Sequence, residues 1–290
     1  MMEMLLEPFS YSYMVKAIWV SALVGGTCAF LSAYLILKGW SLMGDALAHS
    51  IVPGVALAYL LALPYAVGAF FAGILASLSM AIVRQKTRLR EDAVIGLVFT
   101  GFFAVGLLLI SINPMAVNIQ TIILGNILAI SDYDILQVVI ISVICLLLII
   151  LKWKDMMLVF FDETHAKTIG LPVNGLKIMF FTLLSAATVA ALQTVGACLV
   201  IAMVVTPGAT AYLLTDRFGH MIVIAVIMGV ITSALGAYAS YFLDAVTGGL
   251  IVLMQTILFL LAFLFAPRHG LIRASLLMRQ AKGGGYGISA

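Results

Sequence analysis

Apolar runs about twenty residues long, separated by short polar stretches, dominate the chain. They fall at 17–37, 42–62, 65–83, 93–112, 134–151, 178–195, 197–214, 220–242 and 250–266. A helix of about 20 residues crosses a bilayer core about 30 Å thick, so the pattern predicts about nine transmembrane helices. The count is eight if 178–195 and 197–214, separated only by Gly196, form one tilted span. The run 114–130 is apolar but interrupted by Asn118, Gln120 and Asn126. It reads as a short re-entrant or interfacial helix. Period-two alternation is too weak for a membrane barrel. The expected fold class is an all-α polytopic membrane protein.

Composition agrees with the pattern. Of 290 residues, 64% are hydrophobic and 9% charged, more apolar surface than a water-soluble domain of this length could bury. The net charge of +3 is informative through its placement. With nine spans, fourteen of the fifteen basic residues, from Lys38 and Arg84 to Arg217 and Lys282, fall in alternate loops or the C-terminal tail. Only Lys16 falls on the other side. The positive-inside rule then puts the C-terminus and the 152–177 insert in the cytoplasm and the N-terminus outside. Glu3 and Glu7 stand where a signal peptide needs positive charge, so no cleaved signal is expected. No basic block with interleaved aromatics suggests nucleic acid. Cys28, Cys145 and Cys198 lie far apart in apolar runs and read as small buried side chains. Residues 1–282 form one transmembrane domain in this reading, with 283–290 (GGGYGISA) a flexible tail.

Against this background one stretch stands out. In GWSLMGDALAHSIVPG (39–54), Asp45 and His49 lie at i and i+4, on one face of a helix. Eleven of the twelve acidic residues fall in loops or at span ends; Asp45 alone falls within a span. Of four histidines, only His49 does. A charged Asp at the centre of a membrane helix costs about 2.5–3.5 kcal/mol on insertion scales. One reading is a pair that satisfies itself and helps helices register. The sharper reading is a cation site, since carboxylate oxygen and imidazole nitrogen suit Mn²⁺, Fe²⁺ and Zn²⁺. Pro53 removes the amide that would bond the carbonyl of residue 49, which gives either a simple kink or a further ligand. Gly44, Ala46, Ala48, Ser50, Gly54 and Ala56 would let helices approach closely. Two ligands are few for a tight site, and a second copy across a two-fold axis would supply four.

Two polar stretches face the expected cytoplasm. DETHAKTIGLPVNGL (162–176) reads as a short helix ended by Gly170 and Pro172. In TPGATAYLLTDRFG (206–219), Pro207 and Gly208 are expected to break the span, with a brief helix closed by Asp216 and Arg217. No GxxxxGK[ST] loop is present, so the chain is not expected to bind ATP itself. HExxH and GxSxG are absent too.

The blocks WSLMGDALAHSIVPGVALAYL, FFDETHAKTIGLPVNGLK and TVGACLVIAMVVTPGATAYLLTDRFG together resemble the membrane permeases of bacterial ABC importers for manganese, zinc and iron, the ABC-3 family. They look most like the enterobacterial manganese/iron type. The resemblance implies a multi-pass inner-membrane permease that pairs with a second permease chain, identical or similar. It also implies two cytosolic ATPase subunits and an extracytoplasmic metal-binding protein. Asp45 and His49 would coordinate metal in transit. Thr206, Pro207, Gly208, Ala209, Thr210, Asp216 and Arg217 would belong to the segment that couples to the ATPase, with Asp162–Leu171 a related element. The expected function is import of Mn²⁺ and/or Fe²⁺ by alternating access, with no catalysis by this chain and no permanently bound cofactor. The rivals are a zinc importer of the same architecture, an ATP-independent channel or carrier, and a membrane scaffold.

Overall fold

The computed structural model describes residues 2–113, 131–266 and 270. Among them are twelve helices and no strand: α1 (Met2–Ser10), α2 (Ser12–Lys38), α3 (Met43–Ser50), α4 (Val52–Leu60), α5 (Tyr65–Lys86), α6 (Glu91–Ile112), α7 (Asp132–Phe161), α8 (Glu163–Thr168), α9 (Val173–Val195), α10 (Ala197–Leu214), α11 (Phe218–Leu243) and α12 (Thr247–Phe265). Eight helices, counting α3 and α4 as one, are long and apolar enough to cross a membrane. The eighteen-residue α10 is a further apolar helix. Gly196, at φ +84°, separates it from α9, so the two runs are two helices. The expected helix at 114–130 and the tail at 283–290 lie outside the described residues.

The bundle is organised around α2, which packs on α7, α9, α10 and α11 and is buried over most of its length. Close approach comes from paired small residues. Gly25 and Ala29 of α2 face Gly229 and Ser233 of α11, where a Cβ on Gly229 would sit 2.6 Å from the Gly25 carbonyl. Gly54 and Ala58 of α4 meet Gly68 and Ala72 of α5 in the same way. A left-handed Gly39 (φ +75°) ends α2. Its amide donates to the Ile36 carbonyl at 3.0 Å, and the Trp40 amide to Leu35 at 2.8 Å, closing the last turn as a Schellman motif.

Two expectations need correction. Residues 152–161 are not loop: α7 continues through them to Phe161. Their apolar positions Met156, Val159 and Phe160 are buried while Lys152 pairs outward with Asp155 at 3.1 Å, so an amphipathic extension replaces the expected connector. Pro207 and Gly208 do not break α10, which runs unbroken across them. The α2 residue Ser32 bonds the backbone on either side of Pro207: its Oγ accepts the Gly208 amide at 2.9 Å and donates to the Val205 carbonyl at 3.0 Å. Ahead of the first span lies the brief helix α1, on which the sequence pattern is silent.

Ion pairs join residues that the charge pattern assigns to the same side. Lys16 pairs with Asp132 at 2.5 Å at one end of the bundle. At the other, Arg84 pairs with Glu91 and Lys177 with Glu163 at 2.5 Å.

Candidate functional site

The second span is broken at Ile51, between α3 and α4. Pro53 explains the break: without an N–H it cannot continue the ladder, and Gly106 of α6 packs tightly against it. The eight-residue α3 has Asp45 in its first turn and His49 in its last. Each matches the helix dipole, carboxylate at the positive end and imidazole at the negative end.

Although α3 begins at Met43, it starts inside the bundle. Gly44 packs on Val204 of α10, and Val204 lies ten residues before the last residue of α10, Leu214. At 1.5 Å rise per residue that places the pair about 15 Å in from that helix end. The rest of α3 is enclosed: Met43, Gly44, Ala46, Leu47, Ala48 and Ser50 are buried against α5, α6, α9 and α10. Asp45 and His49 share one face of α3 and remain partly exposed, with exposed Ser41 in the turn before the helix and partly exposed Val52 just after it.

His49 Nε2 lies 3.3 Å from Asp45 Oδ1, with the two side chains 30% and 34% exposed. This separation fits a self-paired couple, and it equally fits two ligands of one ion. Ligands bonded at about 2.1 Å sit about 3.0 Å apart when adjacent in an octahedron and about 3.4 Å apart in a tetrahedron. Phe103 of α6 meets the imidazole edge-on at 5.3 Å between ring centres, and Phe99 lies at 6.0 Å. These aromatics hold the ring, and the sequence offered no sign of them, because i, i+4 phenylalanines in an apolar run look the same when they face lipid. Among the described residues no group of three or more His, Cys, Asp and Glu could hold a metal ion. The described residues of one chain therefore offer two such side chains at this point.

The expected coupling residues divide. Pro207, Gly208 and Thr210 are buried and Thr206 and Ala209 partly so, all inside α10. Asp216 and Arg217 are exposed in the turn before α11. Beside the bundle, α8 is capped by Asp162, whose Oδ1 accepts the His165 amide at 2.9 Å. Glu163 accepts from Lys177 on α9 at 2.5 Å and pairs with Lys167 at 2.9 Å. Those two ammonium groups, Lys177 first, hold its carboxyl down at about 2 from an ordinary value near 4.5. Cys28 and Cys145 are buried, as expected of small apolar side chains; the side chain of Cys198 lies outside the described ones.

A helical bundle with eight helices long and apolar enough to cross a membrane defines a multi-pass membrane protein. Residues 10–266 match the ABC 3 transport family, and the chain belongs to that family, as a permease of the bacterial inner membrane. It is 68% identical over 272 residues to the chelated iron transport system membrane protein YfeC of Yersinia pestis, covering 94% of this chain and 92% of that one. It is 51% identical over 271 residues to the manganese transport system membrane protein MntB of Synechocystis, covering 92% and 88%. Among solved structures, PsaBC from Streptococcus pneumoniae in complex with Fab matches with a TM-score of 0.84 at 32% identity, over 95% of this chain and all of that one.

Proposed function

We propose that the chain is the permease for Mn²⁺ or Fe²⁺ in an ATP-driven importer and that Asp45 and His49 ligate the ion in transit. The observation that carries this reading is the pair itself: two donor atoms 3.3 Å apart on the open stripe of an otherwise enclosed helix. The names of the relatives, a chelated iron and a manganese system, favour these cargoes. Two ligands per chain fit a site completed by a second permease across the open stripe, giving two carboxylates and two imidazoles. Water would fill the remaining positions of a six-coordinate ion.

In this reading residues 1–282 act as one permease domain, with 283–290 a tail. The chain hydrolyses nothing; separate cytosolic ATPase subunits supply the energy, and an extracytoplasmic binding protein delivers the metal. The ATPase grips the exposed turn at Asp216 and Arg217. Thr206, Pro207, Gly208, Ala209 and Thr210 carry its motion along α10 towards α3, which touches α10 at Gly44 and Val204. The break at Ile51 lets α3 tilt without moving α4, so that the pair opens to one side and then the other.

Uptake of radioactive Mn²⁺ in a strain lacking its own importers tests the assignment. Asp45→Ala and His49→Ala should each reduce uptake to background while insertion and ATPase assembly stay at wild-type levels. Wild-type uptake by both variants would remove the pair from the path. Competition with Fe²⁺ and Zn²⁺ in the same assay ranks the cargoes.

A further inference from the structure

A second site lies at the end of the bundle that carries Lys38 and Arg84. A cavity of about 640 Å³ opens there between α3, α5, α6, α8 and α9. Its lining is divided. One wall is apolar, made by Ile74, Leu78 and Ile82 of α5 with Ile178 of α9, and Leu78, Ile82 and Ile178 are exposed on the flank of the bundle. The rim is ionic, with Arg84, Lys167 and Lys177 facing Glu91 and Glu163.

The rim has one more cation than carboxylate. Glu163 is shared by two ammonium groups, Lys177 at 2.5 Å and Lys167 at 2.9 Å. Arg84 is held in place twice over: it pairs with Glu91 and lies 5.4 Å above the centre of the Trp40 ring, while the Trp40 indole donates to the same Glu91. Lys86, the last residue of α5, and Arg88 and Arg90, on the loop to α6, are also exposed. A cationic rim over a hydrocarbon wall, at a membrane boundary, matches a phosphate on an acyl chain. A free anion would have no use for the wall, and a neutral lipid none for the rim. Basic pockets between membrane helices on the cytoplasmic side bind acidic headgroups for this reason.

We propose that this cavity binds one anionic phospholipid of the cytoplasmic leaflet. Lys167, Lys177 and Arg84 hold the phosphate, and one acyl chain lies along Ile74, Leu78 and Ile82. The lipid ties α8 and α9 to the α5–α6 loop.

The purified full-length chain in neutral detergent, titrated with lipid and followed by thermal denaturation and native mass spectrometry, tests this. Dioleoyl phosphatidylglycerol should bind saturably and raise the melting temperature; phosphatidylcholine and glycerol 3-phosphate should do neither. Lys167→Gln combined with Lys177→Gln should weaken phosphatidylglycerol about tenfold or more. Leu78→Trp, which fills the apolar wall and keeps every charge, should weaken it as well. Lys154→Gln, outside the cavity, should leave binding unchanged. Equal binding of phosphatidylcholine would overturn the proposal, as would wild-type binding by both the double variant and Leu78→Trp. So would the same shift with glycerol 3-phosphate alone, which would mean a simple anion site. Cross-linking of two copies through Ile82→Cys in bilayers would overturn it too, because a second chain would then fill the cavity.

Discussion

Gly54 and Gly68 meet where α4 crosses α5, and neither position has room for a side chain. A Cβ on Gly54 would overlap the Gly68 carbonyl and lie 2.5 Å from the Ala72 methyl; a Cβ on Gly68 would overlap the Gly54 carbonyl. The obstruction is backbone, which cannot rotate away. Gly54→Ala should therefore cost about 1–3 kcal/mol or more. Gly96→Ala, with nothing within 4 Å, should be neutral or stabilise by up to about 1 kcal/mol. Unfolding of the purified variants in mixed micelles separates the two; equal stability would mean that α4 and α5 do not touch at this point. The same residue scale shows what could be read in advance. Asp45 and His49 were legible because charge within hydrocarbon is costly and therefore conspicuous. Phe99 and Phe103 were not, because an aromatic that holds an imidazole and one that faces lipid have the same sequence signature. Trp40, Arg84 and Glu91 were likewise hidden, since only the fold brings residues from three segments together.

At the scale of elements, α8 is informative. Six residues are too few to hold a helix by themselves, so α8 depends on its Asp162 cap, on buried Ala166 and on the pairs made by Glu163. The folded-state pKa of Glu163 lies near 2, below its ordinary 4.5. Its contribution is thus complete above about pH 4.5 and is lost as the pH falls towards 2. Hydrogen-exchange protection of the α8 amides, corrected for intrinsic rates, should be flat from pH 7 to 5 and fall below pH 4.5. Glu163→Gln should lower the protection at pH 6 and flatten the profile; wild-type protection in that variant would remove the ion pairs as the tether. The C-terminal end of α8 was readable, since Gly170 (φ +83°) and Pro172 forbid continuation. The continuity of α10 was not. Pro207 signals a break by itself, and the hydroxyl that bonds the backbone on either side of it is on Ser32, 175 positions earlier. In the same way, charged residues at 152–155 suggested a loop because their buried partners on α7 alternate with them at helical spacing.

For the whole molecule the open point is parity, which α10 decides. If α10 does not cross, every later connection changes sides and the basic residues no longer collect on one face. Contacts at the helix ends supply the argument. Tyr34, near the end of α2, packs on Phe218, the first residue of α11, with rings 5.0 Å apart, and donates to the Trp153 carbonyl of α7 at 2.9 Å. Lys38 donates to Phe160 at 3.4 Å. The Thr215–Arg217 turn therefore lies at the Lys38 end. The far end of α11 returns to the start of the chain, where Tyr238 packs on Phe9 with rings 5.9 Å apart and Tyr241 packs on Tyr11. The eighteen residues of α10, about 27 Å of helix, match the length of the Met43–Leu60 span and would suffice for a ninth crossing. With the positive-inside rule, a crossing by α10 would put Arg217 and Thr87 in the cytoplasm and Ala245 outside. A membrane-impermeant maleimide should label Ala245→Cys in intact spheroplasts. It should reach Thr87→Cys and Arg217→Cys only after permeabilisation, with the wild-type chain as background. Labelling of Arg217→Cys from outside, with Thr87→Cys still protected, would mean that α10 turns back within the membrane, and the ATPase could not then engage the turn that follows it.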